Sequence, residues 1–409
     1  MTGGTITVSY ATTRGVFVIG TDPSNNVVTG GTINIVITNN NPYYFTSSAP
    51  IYNLNISKTG GTATTVQINN VNTDGLSGTP TSITTPAQPL TVLNEMRILT
   101  GNNPIFNANN QNLYIGGLLE IQNGTTLNTG TNTVYFNGSG NQQLIVNGTV
   151  SGNFNHVTLS NGTSLTLVNA SPATPIILNG NLTIDGGCTL VDNGRTLQVA
   201  GNIYNSGTHF KPVSGAGSIQ LIGTGNQVIG GNGNGVFNNL TLNKTGGSVT
   251  AQANFTITGE LRLGGTAGAP ARLNMGSYRL TFTADANVYD AVTGTSQTGF
   301  SNNRMILTSG LLSDKGVVKI FSPSALSFRY PFGVQVGANY YYLPATIQFT
   351  TAPTSMGSIA ITPVKLRHYL TQSTAALNCY WKTLSTGFSG IASGTLIQQY
   401  QYADAGPNL

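Results

Sequence analysis

The sequence predicts an all-β chain. A right-handed parallel β-helix, a β-solenoid of about 21 residues per coil, is expected across residues 1–300, followed by an immunoglobulin-like β-sandwich across 301–409. Three observations predict this. Short aliphatic–polar–aliphatic triplets recur at a nearly constant step: Leu113-Tyr114-Ile115, Val134-Tyr135-Phe136, Val157-Thr158-Leu159, Ile177-Leu178, Leu197-Gln198-Val199, Ile219-Gln220-Leu221, Leu240-Thr241-Leu242, Leu261-Arg262-Leu263 and Leu280-Thr281-Phe282. Their mean spacing is about 21 residues, which is a solenoid period. The triplets alternate apolar and polar residues, the two-residue period of a strand with one buried face, and no window carries the helical i, i+3, i+4, i+7 stripe. Asn-Gly, Gly-Gly, Gly-Asn and Asp-Gly pairs bound them and supply the positive φ that tight turns need. A β-propeller, with blades of about 40–50 residues, fits this period less well.

Taken in order, Ile6-Thr7-Val8, Val16-Phe17-Val18 and Ile33-Asn34-Ile35 are the first candidate strands, and residues 51–61 form a recognisable coil. Residues 69–90 hold Pro80, Pro86 and Pro89, so they are read as a loop insertion. Leu90-Thr91-Val92 resumes the coils, which run to about Phe282 with a Pro/Ala/Gly excursion at Gly264–Ala271. Leu113, Val157, Leu197, Leu240 and Leu280 are expected inside, and Tyr114, Gln198 and Arg262 outside. A longer period overlies the first. Gly138-Ser139-Gly140-Asn141-Gln142 returns as Gly223-Thr224-Gly225-Asn226-Gln227, and Tyr52–Gly61 returns as Asn238–Gly247. The simplest reading is a four-rung unit that was duplicated and then drifted. Asn141, Asn155, Asn226 and Asn238 are expected either to stack as amide ladders or simply to fill turns.

Beyond residue 300 the triplets fade and aromatic residues concentrate. Longer strand candidates appear at Val317–Phe321, Tyr340–Leu343, Thr346–Phe349, Ser358–Ile361 and Leu396–Tyr402, which suggests an antiparallel sandwich with Trp381 in its core. The chain stops just after a strand, so this domain is read as truncated.

Composition narrows the function classes. Only 7% of residues are charged, against about 25% in ordinary soluble domains. Asn, Thr, Ser, Gln and backbone must wet the surface, which suits an extracellular repeat protein. The net charge is +5 with no basic run or stripe to follow a phosphate backbone, so nucleic acid is not expected as a partner. Cys188 and Cys379 form no disulfide framework and are expected to stay unpaired. There is no transmembrane stretch. Met1-Thr2-Gly3-Gly4 does not open a signal peptide, so a secreted form would be a processed or internal segment.

Parallel β-helices also carry polysaccharide-cleaving enzymes, which depend on a catalytic pair. Glycoside hydrolysis needs two carboxylates about 5–10 Å apart. Asp185 and Asp192 are the best pair and Asp285 and Asp290 the next, but each has a turn context. His156, His209 and His368 are too scattered for a metal triad or a Ser-His-Asp set, and no Asp-x-Asp calcium pattern exists. No catalytic, metal-binding or cofactor-binding residue is predicted. Tyr340, Tyr341, Tyr342 and Trp381 are the candidate glycan contacts, with packing in the sandwich core as the competing reading. Thr158, Thr241 and Thr281 share the central place in their triplets, as on an ice-binding face, but Tyr114, Tyr135, Gln198, Gln220 and Arg262 break the column.

The run Phe237-Asn238-Asn239-Leu240-Thr241-Leu242-Asn243 and the segments Gly223-Thr224-Gly225-Asn226-Gln227, Tyr330-Pro331-Phe332-Gly333, Asn378-Cys379-Tyr380-Trp381 and Tyr400-Gln401-Tyr402-Ala403-Asp404 carry a family resemblance. The chain resembles the repeat regions of very large cell-surface proteins of Bacteroidota and the module that often follows them. Cys379 stands where Arg is common in that module. The resemblance covers most of the chain. It implies export by the type IX route, display outside the cell at the outer membrane, and a structural role in adhesion or gliding. The secretion machinery, other surface components, a polysaccharide or a solid surface would be the partners. A carbohydrate-binding or polysaccharide-degrading β-helix is the alternative, and ice binding the third reading.

Overall fold

The computed structural model describes residues 1–10, 15–20, 26–61, 64–72, 84–168, 174–212, 217–266, 268–370 and 378–402. All regular structure among them is β. The chain divides into two compact units, Met1–Leu197 with Pro212–Gly217, and Gln198–Lys211 with Ser218–Leu409. Each contains a parallel β-solenoid.

In the first unit a coil is three strands, such as Thr133–Phe136, Gly140–Val146 and Thr149–Ser151. Each strand pairs in parallel with its counterpart one coil away: Val134 with Val157, Leu144 with Leu167, Leu127 with Val150. In-register pairing stacks like on like, so Leu113, Val134, Val157 and Leu182 form one enclosed column. Leu197, Leu240 and Leu280 are also buried, as the alternation predicts. Outside, the Tyr114 and Tyr135 rings stack at 4.6 Å, the Gln198 amide donates to Gln220 at 2.7 Å, and Arg262 pairs with Glu260.

The triplets do not all belong to one column. From Leu113 to Val134, Val157 and Leu182 each step along the chain is longer than the one before it. Ile177 lies off this column, and its neighbour Leu178 bridges Phe154 instead. In the second unit Ile219, Leu240, Leu261 and Val288 make a column, whereas Leu280 lies between Phe255 and Val317 on another. All three strands of a coil carry the same triplet signature, so a step of fixed length drifts from one side to the next. The insertion lies within a single coil, which is why Ile56 finds its partner as far along the chain as Ile98. Val71–Asn72 and Thr84–Thr85 form an antiparallel pair there. Residues 73–83, with Pro80, lie outside the described residues.

Parallel pairing also runs straight through position 300, where the sandwich was expected to begin. Leu273 pairs with Ile306, Ile306 with Phe332, and Leu280 with Val317. The aromatic enrichment marks a change in what the strands pack against, not an end to the stack. Pairing turns antiparallel beyond it. Val317–Ile320 pairs with Ser358–Val364, which pairs with Tyr380–Thr386, and Phe332–Val336 pairs with Asn339–Tyr342. Ser327–Tyr330, Ala345–Phe349 and Leu396–Tyr400 form a separate antiparallel sheet. The two sheets face each other in a sandwich-like arrangement. Phe328 meets Phe282 at 5.1 Å, Phe349 meets Phe321 at 5.3 Å, and the Tyr330 hydroxyl donates to the Ile359 carbonyl at 3.0 Å. Trp381 is half-buried at the edge of a small core of Val334, Leu343 and Cys379.

The coil corners hold a feature the triplets do not announce. Lys58, Arg195, Lys244 and Lys319 are all at most 4% exposed. A buried charge needs partners, and here backbone carbonyls supply most of them. Lys319 Nζ donates to the carbonyls of Thr283, Ala284 and Ala286 at 2.6–2.7 Å. Arg195 reaches the carbonyls of Val146, Val168 and Thr174, each at 3.0 Å. Lys244 donates to the Gly225 carbonyl and the Gln227 amide, and Lys58 to the Asn39 carbonyl and the Thr64 hydroxyl. Burial pushes the pKa of every one of these groups down, that of Lys319 to about 8.

Three of the four Asn residues expected either to ladder or to fill turns bond to groups other than a stacked Asn. Asn155 donates to the Thr131 carbonyl, Asn226 accepts from Ser248, and Asn238 donates to the Thr258 hydroxyl. Amide-to-amide bonds form instead at Asn55–Asn34, Asn94–Asn53 and Asn153–Asn179.

Candidate functional site

The second unit contains an open cleft of about 890 Å³. Its wall is the Asn339–Tyr342 strand, which lies antiparallel on Phe332–Val336. Side chains alternate along a strand, so Tyr340 and Tyr342 share one face. Tyr341 packs with Val336 and Trp381 against the Val334, Leu343 and Cys379 core. The same alternation on Ser327–Tyr330 buries Phe328 and Tyr330 and leaves Arg329 on the cleft side. Arg272 enters from just before the Leu273–Gly276 strand. Its guanidinium lies 3.7 Å from the centroid of the Tyr340 ring and donates to the Asn302 carbonyl and the Asn303 amide. Arg329 donates to the Gln401 amide at 3.3 Å. Burial raises the pKa of the Tyr342 phenol, and the neighbouring Arg329 guanidinium partly offsets that rise.

A second cavity of about 370 Å³ adjoins the first, and the Arg272–Tyr340 stack belongs to both linings. Amides and hydroxyls from successive coils, among them Ser248, Thr250, Asn274 and Gln335, line this extension. Flat aromatic faces, planar amides and guanidinium donors thus follow one another along a surface groove. Among the described residues neither lining contains an Asp or Glu.

Of the predicted glycan contacts, Tyr340, Tyr341 and Tyr342 line the cleft and Trp381 does not. The Trp381 Nε1 donates to the Leu343 carbonyl at 3.1 Å, and its ring packs on Tyr400 and Tyr402. It backs Tyr402, which is itself in the lining. The candidate acids are not brought together in the cleft. Asp185 is exposed in a turn, while Asp192 is buried and accepts from the Gly194 amide at 2.8 Å. Asp285 is exposed, and Asp290 is buried against Arg304 at 3.1 Å. His156 accepts from the Asn181 amide at 2.9 Å, His209 is buried, and His368 packs edge-on to Tyr380. No group of three His, Cys, Asp or Glu side chains suited to a metal occurs among the described residues. Cys188 and Cys379 are free buried thiols. The candidate ice-binding threonines share no column: Thr241 lies between Gln220 and Arg262, and Thr281 between Thr256 and Val318.

Sequence reasoning missed Arg272 and Arg329. Arg272 follows the Gly264–Ala271 excursion, and the alternation of Ser327–Tyr330 exposes Arg329, so local signals existed for each. Their meeting depends on the long coil that separates Leu273 from its partner Ile306, which no short period reveals. No family model, curated protein or solved structure matches the chain.

Proposed function

We propose that the chain is a non-catalytic structural and adhesive segment of a secreted, surface-displayed repeat protein, and that it holds polysaccharide in the Tyr340 cleft. The observation that carries this reading is the cleft itself. Ring faces with interleaved amide and guanidinium donors, open to solvent and extended over adjacent coils, match the apolar faces and hydroxyl edges of a sugar chain. A solenoid spreads weak polar contacts over many repeats, which suits attachment to a polymer better than capture of a small molecule. Hydrolysis by paired carboxylates finds no pair among the described residues of this lining. The resemblance to Bacteroidota surface repeats supports an extracellular location, export by the type IX route, and the secretion machinery or other surface components as further partners.

A glycan array with a reducing-sugar assay tests the reading. Binding without release of sugar ends, weakened about tenfold or more by Tyr340→Ala, is expected, on the scale of the roughly 1–3 kcal/mol that a stacked aromatic contributes. Turnover that survives Tyr340→Ala and is lost in Asp185→Asn would replace this reading with an enzymatic one.

A further inference from the structure

Two arginines differ in their surroundings from both the caged and the carboxylate-paired cations. Lys58, Arg195, Lys244 and Lys319 are held at buried corners by carbonyl, amide or hydroxyl oxygens. Arg97 pairs with Glu95 and Glu120, Arg262 with Glu260, and Arg304 with Asp290. Arg272 and Arg329 instead border a cleft that holds no carboxylate among the described residues, and the groups they meet there are neutral: the Asn302 carbonyl, the amides of Asn303 and Gln401, and the Tyr342 phenol beside Arg329. The Arg329 guanidinium neighbours that phenol, and no ion pair is formed there among the described residues. The face of Arg272 is fixed on the Tyr340 ring, which holds its donor edge in place without neutralising it. A fixed, planar, unneutralised guanidinium is suited to bidentate recognition of carboxylate or sulfate oxygens.

We propose that the cleft selects an anionic polysaccharide, with Arg272 and Arg329 receiving its carboxylate or sulfate groups and Tyr340 stacking on a sugar ring. This rests on the adhesive reading above and adds the class of polymer. The cleft and its extension across successive coils offer a length of surface to a chain, and the two guanidinium groups supply its charge selectivity.

The test measures affinity of the full chain for polygalacturonate, dextran sulfate, neutral dextran and duplex DNA, with the wild type and with Arg272→Gln, Arg329→Gln, Tyr340→Ala and Arg279→Gln. Arg279 is exposed and outside the cleft lining, so it controls for overall charge. Thermal melting of each variant confirms folding. The expected result is binding to at least one acidic polysaccharide, weakened by salt. Arg272→Gln and Arg329→Gln should each lower its affinity by about tenfold or more, while Arg279→Gln changes it little. Preference for polygalacturonate identifies a carboxylate ligand, and preference for dextran sulfate a sulfate; either supports the proposal. Equal loss in Arg279→Gln, or DNA bound as tightly as the acidic polysaccharides, would overturn it in favour of unspecific polyanion binding. Neutral dextran bound through Tyr340 and indifferent to both arginine variants would overturn the charge selectivity and leave the adhesive reading standing. Binding to no polysaccharide would remove both.

Discussion

At the scale of residues, the interior is built from aliphatic neighbours of similar shape and a few buried ions. Leu113 is fully enclosed, with Leu90 and Val134 as its partners in adjacent coils. Leu113→Ala should therefore lower stability by about 2–5 kcal/mol, read as a shift in the urea midpoint. Lys319 makes a pH-dependent contribution. Its folded pKa is about 8, against an ordinary 10.5. Below about 8 the amine is charged in both states and the full cost of burying it is present. Between 8 and 10.5 the unfolded chain holds the proton and the folded chain does not, so stability rises with pH, by at most about 1.4 kcal/mol per pH unit. Urea midpoints measured across that range should rise more steeply for the wild type than for Lys319→Met. Equal slopes would mean that the carbonyl cage holds the ammonium at its ordinary pKa. The sequence carried no sign of this cage. The Lys-Thr-Gly-Gly copies at Lys58 and Lys244 were visible, but backbone acceptors leave no trace in side-chain identity.

At the scale of elements, strands were legible and columns were not. Alternation identified the buried Leu113 and the outward Tyr114 without error, because a strand's inward and outward positions follow from its own residues. The place of Ile177 depended on corner lengths, which vary between coils, and the same triplet serves every side. Glycine corners make the close stacking possible. Gly247 has φ +66°, and a Cβ there would strike the Gly225 carbonyl; Gly187 has φ +81° but faces open space. Gly187→Ala should cost only the left-handed backbone penalty of about 1–2 kcal/mol. Gly247→Ala should cost more, because the coils must also separate. Differential scanning calorimetry of the two variants checks the order. In the cleft, the tyrosine run was readable as a platform. Its charge was not, since the arginines come from segments on either side of long, irregular connections.

At the scale of the whole molecule, stability rests on packing and dipoles more than on ion pairs. The Arg97–Glu95 and Arg262–Glu260 pairs are partly exposed, and such pairs contribute little. Raising the salt concentration should shift the melting temperature by less than about 3 °C, in contrast to the salt-sensitive binding expected of the cleft. A larger shift would point to charge interactions not accounted for by these pairs. The sparse charge was the clearest global signal in the sequence. It foretold a surface wetted by amides and hydroxyls but did not reveal that several of the few cations lie inside.

That burial has a consequence for durability. Trypsin-like proteases cut after lysine and arginine in backbone they can pull into an extended, accessible form. The chain offers 16 such residues in 409, and Lys58, Arg195, Lys244 and Lys319 are buried, with their side chains hydrogen-bonded at or beside the coil corners. A protein displayed among secreted proteases would gain from this arrangement, since the side chains that hold its corners together are also withheld from digestion.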